Sequence, residues 1–444
     1  MADKARYYLE QSIPELKEFE KKKIFTKAGG LLLNVQQEEI SAITKKRSEF
    51  EHKVNSPGCK SIDYARYVEY EMNLEALQRK RVQRLGIKSK THLGQRKIFF
   101  ILDRATRKFY GDIGLWMQYI EFAKKEGASK VLLKVFASAL KLHPMKTELW
   151  IYAARHAMDE NGDMTEARSF MQRGLRFNKG SRQLWLEYTK LELVYIAKII
   201  TRRRLLGIDG LVEAKQQRNE DENMMELPTI TAEEGNLGLN NGSDTDNSPL
   251  NNMETNSALN GTIPLAVFDA AVREISNDVE FVFSFFNLFG TFPNLPCISK
   301  LLDHVISHAL STYPTSPLAL FMDVNAPILG VEFTNPSFPS KVGTMLSKIA
   351  SHIGEASPRI KLYQLVTSCL QEILDTENLD PAVDTVIKSA LGKYFKQAET
   401  GGDIDANMYL TWAKFLESSR KPKAAQLVRT RGCEAFPNTA IVLK

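Results

Sequence analysis

Cysteine is scarce in this chain of 444 residues: Cys59, Cys297, Cys369 and Cys433 lie far apart and form no C-x-x-C pair. That spacing gives no zinc knuckle and no dithiol redox motif, and points instead to reduced, packed thiols. Long apolar runs are also missing. The two longest, residues 193–200 and 281–289, are too short to cross a bilayer, and they carry Lys198 and Ser284 with Asn287 respectively. No membrane association is expected. No apolar signal core follows Met1, and acidic residues begin at Asp3, so a secretory route is not expected either. The sequons Asn241-Gly242-Ser243 and Asn260-Gly261-Thr262 then carry little weight.

Phosphate-cradling and nucleophile motifs are absent as well: there is no G-x-x-x-x-G-K-[ST] and no G-x-S-x-G, and Gly235, Gly238 and Gly242 fall in a polar stretch rather than after a strand. His304 and His308 stand four apart on a predicted helix, the spacing of zinc proteases, but Val305 follows His304 where that motif needs glutamate. No catalytic residue, cofactor site or metal site is expected.

What the chain does have is tryptophan at a regular interval. Trp116, Trp150 and Trp185 recur 34 and 35 residues apart, each preceded by leucine. In Trp116-x-x-Tyr119-x-x-Phe122 and Trp185-x-x-Tyr188-x-x-Leu191-Glu192, three-residue steps place the large side chains on one face of a helix. A second helix follows after a short turn, as in Val135-Phe136-Ala137-Ser138-Ala139-Leu140 closing at His143-Pro144 and residues 167–175 closing near Asn178. A residue required at the same place in each hairpin is most simply a packing residue. Tyr64, Tyr67, Trp116, Tyr119, Trp150, Tyr152, Trp185, Tyr188 and Trp412 are assigned to packing rather than to base stacking. One hairpin cannot bury its own apolar face, so the pattern predicts an all-α solenoid of stacked hairpins with extended surfaces for partners.

The net charge of +6 hides a division along the chain. Residues 207–262 hold 11 acidic and 2 basic residues, leaving the rest distinctly basic. Residues 79–108 hold 11 Lys or Arg against the single acid Asp103. Arg79, Lys80, Arg81, Arg84, Lys88, Lys90, Arg96 and Lys97 are the candidate contacts, either to the phosphates of an RNA or to an acidic protein surface. Charge alone leaves both open.

Four segments follow. Residues 1–54 read as an entry hairpin, in which Ser12-x-x-Glu15 with Pro14 forms a capping pattern and Ile40, Ile43, Phe50 and Val54 keep helical spacing. Residues 55–206 form the first repeat block, starting at Tyr64. Residues 207–262 are too polar and acidic to offset their ordering entropy and are expected to be disordered; Ser243-Asp244-Thr245-Asp246 within them resembles an acidic-directed kinase site. Residues 263–444 form a second, degenerate block, with second-helix signals at 301–310 and 424–434 and a first-helix signal at Tyr409-x-x-Trp412-x-x-Phe415. Lengthening a turn to the size of this insertion costs roughly 2 kcal/mol in loop closure, so the hairpin that it interrupts should still form.

The W-x-x-Y-x-x-x-E first helix, matched fully by Trp185, Tyr188 and Glu192, resembles the half-a-TPR repeat of RNA-processing proteins. At the other two tryptophans Ala123 stands for the glutamate and Ala153 for the tyrosine. The start of the chain, with Tyr7-Tyr8-Leu9-Glu10, Pro14-Glu15-Leu16, Ile24-Phe25-Thr26-Lys27 and Lys46-Arg47-x-x-Phe50-Glu51, resembles the U3 small nucleolar RNA-associated protein six family. Against that family, residues 29–38 look like an inserted piece.

The resemblance implies a right-handed superhelix of TPR-like hairpins with an amino-terminal helical extension. It also implies a nucleolar scaffold subunit of the small-subunit processome, in the UtpB subcomplex with WD-repeat proteins. Such a subunit works with pre-rRNA and the U3 snoRNP in the early cleavages that lead to 18S rRNA. The alternative is a half-a-TPR scaffold of another RNA machine, for splicing or mRNA 3′-end formation.

Overall fold

The structure, a computed structural model, describes residues 7–8, 33–85, 92–205, 260–276, 278–331, 335–376, 379–419 and 421–436. The Gly29-Gly30 connection, most of the acidic segment, Lys88 and Lys90 lie outside the described residues. Among the described residues there are seventeen helices and no strand. The fold is all-α. The chain divides into two compact units, Met1–Ala153 and Ala154–Lys444.

The first unit contains α1 (Leu33–Asn55), α2 (Ser61–Leu85), α3 (Leu93–Lys108), α4 (Ile113–Lys125) and α5 (Ser129–Leu142), each packed on the next. The division falls within α6 (Thr147–Asp159). The second unit begins with α7 (Met164–Phe177), α8 (Arg182–Leu205) and α9 (Thr262–Glu274). There α8 packs on both α7 and α9, so the hairpin interrupted by the acidic segment does form. It continues through α10 (Val279–Gly290), α11 (Ile298–Thr312), α12 (Pro317–Asn325), α13 (Phe338–His352), α14 (Arg359–Leu374), α15 (Pro381–Gly401), α16 (Ala406–Ser418) and α17 (Pro422–Ala435). From α8 on, each helix packs on a helix one or two places along, as α10 does on α11 and α12, and α12 on α13 and α14. That pattern is what hairpins make when each buries its apolar stripe against its successor.

Six of the second helices share one way of ending, whereas α13 ends on a helical Ile353 and α15 on Gly402 at positive φ. α3, α5, α7, α9, α11 and α17 are capped by Phe109, His143, Asn178, Ile275, Tyr313 and Phe436, with φ between −112° and −133° and ψ between 53° and 74°. In each, the cap N–H donates to the carbonyl of a buried Ala or Gly four residues back: Ala105, Ala139, Gly174, Ala271, Ala309 or Gly432. The small residue lets the neighbouring helix approach, and the non-helical ψ turns the chain away.

A tight turn follows, closed by the N–H of Asp112, Lys146, Ser181 or Ser316 on the carbonyl of Phe109, His143, Asn178 or Tyr313. Where the next helix supplies tryptophan, the indole completes this turn. Trp116 Nε1 donates to the Tyr110 carbonyl at 2.9 Å, Trp150 to Pro144 at 2.9 Å and Trp185 to Lys179 at 2.8 Å. The ring is buried and its single polar atom is satisfied by the carbonyl just past the cap.

Seven residues after the caps Ile275 and Tyr313, the same station is held by Val282 and Leu320, both buried to within 1%. The apolar contact is kept and the indole donor is lost. This substitution explains why the sequence periodicity fades beyond residue 276.

Candidate functional site

Helix α2 starts on a local cap, with the Lys60 N–H donating to Asp63 Oδ2 at 3.0 Å. The hydrogen bond from Lys53 is the first cause that holds Asp63 below the usual carboxylate range, and the Lys60 N–H adds to it. Twenty-five residues long, α2 carries Arg79, Lys80, Arg81 and Arg84 in its last two turns, and α3 opens with Arg96 and Lys97.

These cations do not form one open patch. Arg79 bonds Glu75 at 3.1 Å and Glu126 at 2.6 Å, tying α2 to the end of α4. Arg81 bonds Glu39 of α1 at 2.8 Å. Lys97 lies 3.8 Å from Glu71 and is largely covered. Lys80, Arg84 and Arg96 remain exposed and form no ion pair with a described residue. Among the described candidates they are the ones left to a polyanion.

Behind this surface is a buried polar network that the charge count did not single out. Arg47, fully buried, grips Glu71 with Nε on Oε1 and Nη2 on Oε2, each at 2.8 Å. Arg104 grips Glu51 in the same two-pronged way at 3.0 Å, and the Tyr8 ring covers its guanidinium at 3.8 Å. Tyr67 is fully buried and stacks on Phe50 at 5.1 Å. Burial, followed by the charges of Glu71 and Glu51, pushes its phenol far above the ordinary tyrosine value. The signal available in the sequence was spacing: Arg47 with Glu51, and Tyr67 with Glu71, are four apart and share helix faces.

A third such grip occurs at the full W-x-x-Y-x-x-x-E match. Arg168 Nε and Nη2 donate to Glu192 at 2.8 Å, and Glu192 is 1% exposed. In Arg47–Glu71 and Arg168–Glu192 alike, the arginine lies 24 residues before the glutamate.

The remaining repeat positions are placed as follows. Tyr64, Trp116, Tyr119, Trp150, Trp185, Tyr188 and Trp412 are all buried, and Tyr152 is half-buried beside Phe136 at 5.9 Å. Burial, with Asp103 adding to it, pushes the Tyr119 phenol up to about 12. The buried rings of this set offer no open face for stacking. His304 directs Nε2 at Asp269 Oδ1, 2.8 Å away, and both His304 and His308 pack edge-on against Phe268. Among the described residues no group of three His, Cys, Asp or Glu side chains is placed to hold a metal ion. Burial, then Glu372, raises the Cys369 thiol to about 12, away from thiolate chemistry. No helix among the described residues is long and apolar enough to cross a membrane.

Comparison with known proteins adds a family. Residues 9–100, which include α1, α2 and the start of α3, match the family model for U3 small nucleolar RNA-associated protein 6. A Schizosaccharomyces pombe protein of that name is 36% identical over 249 residues, 53% of this chain and 49% of its own length. The human homolog is 32% identical over 203 residues, 45% of this chain and 32% of its own. A Dictyostelium discoideum homolog is 25% identical over 261 residues, 58% of this chain and 42% of its own. The chain thus spans half or less of the length of these relatives. Its amino-terminal region is similar to the U3 small nucleolar RNA-associated protein 6 family.

Proposed function

We propose that this chain is a scaffold subunit in the assembly that carries U3 small nucleolar RNA and matures the small ribosomal subunit, acting through surfaces rather than through a reaction of its own. The observation that carries this reading is the family match over residues 9–100 together with the exposed cations of the same region, Lys80, Arg84 and Arg96. The names of the relatives state association with U3 small nucleolar RNA. Ribosome biogenesis in the nucleolus is the setting that those names suggest.

The finer reading has several parts. Residues 55–206 and 263–444 form half-a-TPR blocks of a right-handed superhelix, after an entry segment at 1–54, with residues 207–262 as an acidic tether. WD-repeat proteins of the UtpB subcomplex dock on helix faces. Lys80, Arg84 and Arg96 touch phosphates of pre-rRNA or U3 RNA, with Lys88 and Lys90 as further candidates.

Purification of the tagged chain, with sequencing of the RNA that it retains, tests this reading. U3 RNA and 18S precursors should be enriched, and depletion of the chain should cause uncleaved precursors to accumulate. Enrichment of spliceosomal RNAs or mRNA 3′ ends would overturn the assignment in favour of another RNA machine.

A further inference from the structure

We propose that the groove between α15 and α17 is a docking site for an acidic, amphipathic helix of a partner protein. The groove has a volume of about 1490 Å³, the space of roughly three turns of α-helix about 10 Å across. α15 forms one wall and α17 the other, and α16 supplies Trp412 and Phe415 between them.

Charge defines its rim. Lys388, Lys393, Lys396, Lys421 and Arg431 line it against the single carboxylate Glu399. Lys388 is neutralised locally by Asp384 at 2.6 Å, and Arg431 by Glu399 at 3.2 Å. Lys393, Lys396 and Lys421 are exposed and pair with no described carboxylate. An occupant has to bring the anions.

The floor decides between two kinds of anion. Trp412 and Phe415 are only 4% and 9% exposed, and the Trp412 ring stacks on Phe395 at 5.6 Å, so neither face is free for a nucleic-acid base. The open apolar surface is aliphatic: Leu427 on α17 is 50% exposed beside half-buried Leu416. A nucleic acid strand could use the lysines and would leave this surface wet. A helix with glutamates on one face and leucine-type side chains on the other satisfies both rim and floor. Room exists along the α15 wall, because a Cβ added at Gly392 would meet nothing within 4 Å. Gly392 lowers helix propensity at a position where the fold does not require its small size.

The test uses the full chain and a fluorescein-labelled helical peptide of about three turns, glutamate on one face and leucine on the other. Fluorescence anisotropy should give saturable binding, weakened at least about tenfold by Lys393→Glu with Lys396→Glu. Gly392→Leu, which fills the groove without changing its charge, should block the peptide, and Leu427→Ser should weaken it. The same peptide with lysine for glutamate should bind the doubly reversed variant and not the parent chain. The lysine substitutions alter exposed side chains only, so the assay stays readable should Gly392→Leu lose helicity.

Absence of saturable binding overturns the proposal. It is also overturned if Leu427→Ser and Gly392→Leu bind normally while oligouridine competes through the lysines, which would make the groove a phosphate surface. Self-association in sedimentation that Gly392→Leu abolishes would assign the groove to a second copy. None of these outcomes depends on Lys80, Arg84 or Arg96.

Discussion

Glu71 and Glu192 occupy the same position of the repeat as Ala123, yet the three sites are built differently. At the first two, a buried carboxylate is gripped by an arginine from 24 residues upstream, Arg47 or Arg168. At the third, the residue 24 positions before Ala123 is Phe99, whose ring packs on Phe122 at 4.9 Å and Tyr119 at 6.2 Å. The repeat therefore conserves a contact between two helices rather than a chemistry. An ion pair makes that contact directional, and an apolar contact makes it tolerant; both exclude water. The two gripped sites differ too, since Arg47 is fully buried whereas Arg168 keeps 27% of its side chain in solvent.

The largest expected effect comes from forcing one solution on the other. Ala123→Glu would place a carboxylate at a fully buried position and should cost at least about 4 kcal/mol in denaturant melts. Adding Phe99→Arg should recover a substantial part of that loss. If the double variant is no more stable than the single one, the sites are not interchangeable and the comparison fails.

Next in size is removal of one partner from the buried grip. Glu71→Ala leaves Arg47 without its carboxylate in a dry site and should cost about 3–5 kcal/mol. Replacing both, as Arg47→Met with Glu71→Leu, should be close to neutral or stabilising, because the desolvation of two charges is then avoided. Glu192→Ala should cost less, about 1–3 kcal/mol, since Arg168 can turn toward water. Equal losses at Glu71 and Glu192 would show that exposure of the arginine does not set the difference.

A more exposed carboxylate site sharpens the contrast through pH. Burial alone would raise the pKa of Asp323, but the hydrogen bonds from Lys348 at 2.7 Å and His352 at 2.8 Å outweigh it and hold the group below the usual carboxylate range. A carboxylate whose folded pKa is depressed contributes stability above its unfolded pKa, near 4, and loses it as pH falls through the folded value. Thermal melts of the parent chain should therefore drop more steeply below about pH 4 than those of Asp323→Asn. Parallel curves would remove Asp323 from the account.

The smallest effect on stability is expected at the exposed cations. Lys80→Gln with Arg84→Gln should change the folding free energy by no more than about 0.5 kcal/mol. If these side chains meet phosphates, the same variant should lower the log–log salt slope of single-stranded RNA binding by roughly 0.7 for each contact. Arg79→Gln, in contrast, breaks the bridge to Glu126 and confounds binding with folding. A binding assay that neutralised the whole stretch could not separate those two roles.

The sequence by itself determined the helical class, the hairpin frame through Trp185 and the excess of positive charge around α2 and α3. Each of these rests on local periodicity or composition, which a chain carries without reference to its partners. Tertiary structure decided which cations are available, because Arg79, Arg81 and Lys97 meet carboxylates from other helices that charge counting along the chain does not see. It also decided where the repeat persists under a changed sequence: Val282 and Leu320 fill the tryptophan station because burial at that point selects an apolar side chain, while the indole hydrogen bond is an addition that packing does not require. The Arg47–Glu71 and Arg168–Glu192 grips belong to the same class. Their residues are legible singly, but a buried ion pair exists only where two helices bring both charges out of water together.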